Sequence, residues 1–131
     1  MARAVGLVLV LLFAAMPREA DAGARELAGQ CQTLLQGKHG SGGQIRIPFT
    51  KPALVCWGYM QAVQDFAALA DENGQRVLGI CPPDRATMLD LVQAFVRYAD
   101  ARGKDLPDNA ALAVTKALQS AYPCPPVAQK L

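Results

Sequence analysis

Four cysteines, Cys31, Cys56, Cys81 and Cys124, constrain this chain more than any other feature. They lie in 131 residues, a length that suits one domain. The closest are 25 positions apart, so no C-x-x-C pair exists to seed a zinc site or a redox motif. The only histidine, His39, sits beside a glycine-rich stretch and not near a cysteine pair. Two disulfides are therefore the expectation, and with them an oxidising compartment.

The start of the chain supplies a route to such a compartment. Arg3 gives a short basic opening, and Ala4 to Ala15 is an unbroken apolar run. Ala20-Asp21-Ala22 places small residues where a signal peptidase reads. A cleavable signal peptide over residues 1–22 is expected, leaving one domain over 23–131. The competing reading, a membrane anchor, needs roughly 20 apolar residues, and this run is shorter. The formal net charge is +2, with no block of like charges, which argues against nucleic acid as a partner. A domain this small buries only a modest core and benefits from covalent staples.

Apolar periodicity marks four helices. The first spans Arg25 to Gln36, with Leu27, Cys31, Leu34 and Leu35 on one face, and Gly37 ends it. Lys38 to Phe49 reads as a loop whose second half, Ile45, Ile47 and Phe49, alternates and is expected to lie extended across the core; Pro48 argues against a central strand. The second helix starts near Pro52, capped by Thr50 or Lys51. Its stripe is Val55, Tyr59, Ala62, Val63, Phe66 and Ala70, widened by Leu54, Trp57 and Leu69. Gly58 in mid-helix costs about 1 kcal/mol against alanine, and close approach of another helix is the expected return. Val77, Leu78 and Ile80 should tuck into the core.

The third helix runs from Thr87 to Arg102, with Thr87 as N-cap and Asp90 at the capping-box position. Its buried face is Met88, Leu91, Val92, Phe95, Val96 and Ala99. The fourth runs from Pro107 to Tyr122 on a stripe of small residues, Ala110, Ala113, Val114, Ala117, Leu118 and Ala121. The expected class is all-α: a compact four-helix domain stapled by two disulfides.

Sequence alone permits three pairings of four cysteines. The joint between the third and fourth helices, Gly103 to Leu106, is short, so those helices should run antiparallel. Cys81 then lies beside Cys124. Cys31 and Cys56 sit at similar heights if the first two helices are antiparallel. A Cys56–Cys81 bridge would require the chain to return nearly all of the ~24 Å that the second helix carries it at ~1.5 Å per residue. Cys31–Cys56 with Cys81–Cys124 is the preferred pairing.

Chemistry is sparse. His39 lacks an evident orienting carboxylate or nucleophile. Asp65, Asp90, Asp100 and Asp108 fit caps and solvated faces. There is no G-x-S-x-G, phosphate loop or metal-binding histidine pair. No catalytic residue, metal or cofactor is expected. Tyr59 falls in the core stripe with Trp57 beside it, and an exposed aromatic there would suit an interface.

Cys56-Trp57-Gly58-Tyr59-Met60, Cys81-Pro82-Pro83, Thr87 with Leu91-Val92 and Phe95-Val96-Arg97-Tyr98, then Ala117-Leu118 and Ala121-Tyr122-Pro123-Cys124-Pro125, follow in order. This series resembles the Rap/Tai family of type VI secretion immunity proteins over roughly Cys31 to Pro125. The resemblance implies a periplasmic, all-helical, non-enzymatic protein, often a homodimer, whose partner is a peptidoglycan amidase toxin that it plugs. It also implies structural roles for Cys56, Gly58, Tyr59, Pro82, Cys81 and Cys124. Trp57 stands where an aliphatic residue is more usual. Contacts to the toxin are expected in the joints Lys38–Phe49 and Asp71–Ile80, with His39, Arg46, Asn73 and Arg76 as candidates, and Trp57 if exposed. The alternative expectation is a periplasmic housekeeping or stress protein of chaperone-like type on the same frame.

Overall fold

The computed structural model describes residues 23–39 and 45–126. The signal-peptide reading of 1–22, the glycine-rich loop at 40–44 and the tail at 127–131 lie outside them. Four α-helices stand among the described residues: α1 (Ala24–Leu35), α2 (Lys51–Ala67), α3 (Met88–Arg102) and α4 (Ala110–Ala121). Between α1 and α2, β1 (Lys38–His39) pairs antiparallel with β2 (Ile45–Arg46), Lys38 opposite Arg46 and His39 opposite Ile45. Among the described residues this two-residue ladder is the whole of the sheet, in keeping with Pro48 closing off further pairing. None of the described helices is long and apolar enough to cross a membrane.

Side chains satisfy free N–H groups at the starts of α3 and α4. By contrast, α1 follows Gly23 and α2 follows Thr50 without a side-chain cap, and Lys51, offered by the sequence as a cap, is the first residue of α2. At α3 the expected capping box forms. The Asp90 N–H donates to the Thr87 hydroxyl oxygen at 3.3 Å, while the Asp90 carboxylate accepts from the Thr87 N–H at 2.7 Å and from its hydroxyl at 2.8 Å. At α4 the cap is Asn109, whose side-chain oxygen accepts the Leu112 N–H at 2.9 Å. The helix thus starts at Ala110, three residues after the Pro107 expected from sequence. The intervening Asp108 stays outside it, and its carbonyl takes the Ala24 N–H at 2.8 Å, tying the start of α1 to the start of α4.

The Asp90 carboxyl is held below its ordinary value, first by the Thr87 backbone N–H and next by the Thr87 hydroxyl. A carboxyl that binds its proton less tightly when folded stabilises the fold above its unfolded value and loses that effect as pH falls through the lower folded value. Thr87→Ala should cost about 1 kcal/mol at neutral pH. In urea titrations that difference should shrink as pH drops below about 4; a difference constant down to pH 2 would remove Asp90 from the account.

The two disulfides are Cys31–Cys56 and Cys81–Cys124, with Cα atoms 5.0 and 4.8 Å apart. The first joins α1 to α2, and both of its cysteines are fully buried. The second closes the end of α4 onto the segment before α3. There the Cys81 N–H donates to the Tyr122 carbonyl at 2.8 Å, and Ile80 bridges Pro123. This is the antiparallel arrangement of α3 and α4 that the short joint requires; the joint itself is a single turn of 3₁₀ helix, Gly103–Asp105. The core lies between the helices and centres on Phe95, Leu27, Leu34, Met60, Ile80 and Leu118.

Several expectations about α2 are corrected. Its inward residues are Ala53, Cys56, Met60 and Ala67, with Trp57, Tyr59 and Val63 half-buried against the core. Val55, Ala62, Phe66 and Ala70, taken from the sequence as the buried stripe, are exposed, as are Leu54 and Leu69. The cause is the bridge to α1, which turns the Cys56 side of the helix inward. Positions three before, four after and eleven after Cys56 follow it. Gly58 is exposed, and a β-carbon built there meets nothing within 4 Å, so none of the described helices packs on it. Val77 is exposed while Leu78 and Ile80 go inward. Ala121, at the last turn of α4, is also exposed.

Candidate partner-binding surface

The segment from Asp71 to Ile80, between α2 and α3, is irregular but closely hydrogen-bonded. The Asp71 carboxylate accepts the Asn73 N–H at 2.9 Å and the Gln75 N–H at 2.8 Å. The Asp71 N–H in turn donates to the Gln75 carbonyl at 2.8 Å. Ala70 bridges Arg76, and the Val77 N–H donates to the Leu69 carbonyl at 3.0 Å. Gly74 and Gly79 take positive φ of 76° and 64°, which a residue with a β-carbon adopts only with strain, so each is placed to turn the chain. The Gln119 side-chain amide donates to the Leu78 carbonyl at 2.7 Å and fastens the base of the loop to α4. The result is an exposed loop with a fixed shape.

Asn73 lies at the tip of this loop and is exposed. Arg76 lies at its base, where its guanidinium donates to the Ala68 carbonyl and so satisfies a free C=O at the end of α2. Its role is therefore in part structural. Beside it, Gln64, Ala67, Pro82, Pro83 and Leu91 help to line a cleft of about 290 Å³. Pro82 is half-buried there. Arg46 is exposed on β2, and His39 lies on β1, its side chain outside the described residues.

These candidates do not form one site. Arg46 precedes the start of α2, whereas Asn73 and Arg76 follow its end. The 17 residues of α2 separate those ends by about 25 Å. Trp57 is half-buried and packs on the core, which leaves only part of its indole for a partner. Burial pushes the Tyr59 hydroxyl pKa up. Among the described residues no polar or charged side chain is buried, and no cluster of histidine, cysteine or carboxylate could hold a metal.

A surface that the sequence reading placed in the core joins the candidates. Leu54, Val55 and Phe66 project from α2, Leu69 is exposed just after its end, and Val77 is held next to Leu69 by the backbone hydrogen bond above. Phe49, just before α2, is 90% exposed and does not lie across the core as the sequence predicts, while Ile47 does pack against the core; Phe66 is 60% exposed. The signal that could have revealed this face is Cys56 itself: once Cys56 is bonded to a buried cysteine of α1, the opposite side of α2 must face outward.

Fold and surface together define a small, disulfide-stapled helical domain whose distinctive features are a rigid exposed loop and an apolar outer helix face. The model of the Rap1a immunity proteins matches residues 17–124, and the chain belongs to that family. No curated protein matches the chain, and no solved structure does.

Proposed function

We propose that this protein is a periplasmic immunity protein, exported by a cleavable signal peptide, that binds a peptidoglycan amidase toxin of a type VI secretion system and occludes its active site. Membership of the Rap1a immunity family, matched over residues 17–124, carries this reading. It acts by binding and turns over no substrate. The loop Asp71–Ile80 suits insertion into a cleft, because its internal hydrogen bonds have already ordered it. A loop held in its bound shape gives up less freedom on association. The loop tip at Asn73 is the principal contact, with Arg46 and His39 at a second, separate patch.

The test is inhibition of a candidate amidase encoded beside this gene. The purified protein should abolish release of peptide from peptidoglycan at one-to-one stoichiometry. Asn73→Arg should weaken that inhibition at least about tenfold, the scale of a residue central to an interface. Deleting the gene should sensitise cells to toxin-armed siblings. Unchanged survival together with no inhibition would overturn the reading.

The exposed apolar side chains of α2 favour one other reading, a periplasmic stress protein of chaperone-like type. Suppression of client aggregation, with no amidase bound, would support it over the first.

A further inference from the structure

Gly58 is costly in the middle of a helix, yet none of the described residues uses the space it leaves. Lys51, Gly58 and Asp65 are spaced seven residues apart, and all three are exposed, so they lie along one line of the outer face of α2. Ala62, one turn after Gly58, is exposed on the same side. Larger apolar residues flank this shallow centre, Leu54 and Val55 before it and Phe66 and Leu69 after it.

From this pattern we propose that the outer face of α2 packs antiparallel against α2 of a second copy of this chain, with Gly58 at the two-fold axis. This assigns a surface to the expected homodimer and does not rest on the toxin reading. Lys51 and Asp65 lie equally far from Gly58 along the helix, on opposite sides of it. A two-fold axis through Gly58 therefore sets Lys51 of each copy level with Asp65 of the other. Parallel packing would instead set lysine against lysine and aspartate against aspartate, which is repulsive. The same axis sets Leu54 level with the partner's Ala62, a large residue against a small one, and brings Phe66 level with the start of the partner's α2, next to the exposed Phe49. Such a two-fold contact is closed and self-complementary, and would account for an apolar helix face left exposed on the single chain.

Sedimentation velocity on the protein purified with both disulfides intact tests this. The wild type should sediment as a dimer. Gly58→Leu, whose β-carbon meets no described atom of its own chain within 4 Å, should raise the dissociation constant at least about tenfold while leaving the circular dichroism spectrum unchanged. Lys51→Glu alone and Asp65→Lys alone should each weaken the dimer by about tenfold, and the double variant should return to within about threefold of wild type. A monomeric wild type overturns both the surface and the homodimer. A dimer indifferent to Gly58→Leu overturns the surface and leaves the homodimer standing. Failure of the double variant to recover overturns the antiparallel register.

Discussion

Reducing both disulfides should unfold this protein at 37 °C, with loss of the helical circular dichroism signal. The loops closed by Cys31–Cys56 and Cys81–Cys124 span 25 and 43 positions. In the chain-entropy account they contribute about 3.5 and about 4 kcal/mol respectively. Their sum, about 7.5 kcal/mol, is comparable with the whole stability of a domain of this size, roughly 5–15 kcal/mol. Urea denaturation of the paired variants separates the two bridges. Cys81→Ala/Cys124→Ala should lose about 4 kcal/mol, chiefly through the freed chain. Cys31→Ala/Cys56→Ala should lose about 3.5 kcal/mol, with a further loss for the space left between α1 and α2, because both of these side chains are fully buried. A reduced chain with an unchanged urea midpoint would contradict this account.

The second large effect is expected at Phe95. Its side chain is fully buried and is the largest such group in the core. It lies on the inward face of α3 with Leu91, Val92 and Ala99. Phe95→Ala should cost about 3–5 kcal/mol, through lost burial and the cavity that neighbouring helices cannot close. Phe66→Ala offers the contrast, because Phe66 is 60% exposed. At a protein concentration low enough to keep the chain monomeric, it should change folding stability by less than about 0.5 kcal/mol. Equal losses at the two positions, measured by urea denaturation, would contradict the assignment of Phe95 to the inner face of α3 and Phe66 to the outer face of α2.

These two phenylalanines also mark where sequence was and was not sufficient. The inward face of α3 was legible because Leu91, Val92, Phe95, Val96 and Ala99 form its one apolar stripe, against Asp90, Gln93, Arg97 and Asp100 on the other side. The caps at Thr87 and the turn at Gly103 were legible for a different reason: they depend on groups within a few residues. α2 offered no such contrast. Apolar residues run almost all the way round it, so periodicity supports two stripes and cannot rank them. The candidate contacts were legible only as exposed joints. That β2 and the Asp71–Ile80 loop stand at opposite ends of α2 depends on the path of the whole chain.

The sequence by itself determined four helices, the Thr87 cap and two disulfides, and it favoured the pairing that forms. Each of these follows from short-range chemistry or from the few ways that short joints let helices run. Only the tertiary structure decided which side of α2 is core. That choice rests on the long-range Cys31–Cys56 bond, which turns Met60 and Ala67 inward and leaves Val55, Gly58, Ala62 and Phe66 to solvent. A helix apolar on both sides takes its orientation from the partner to which it is tied, and that partner lies 25 positions away.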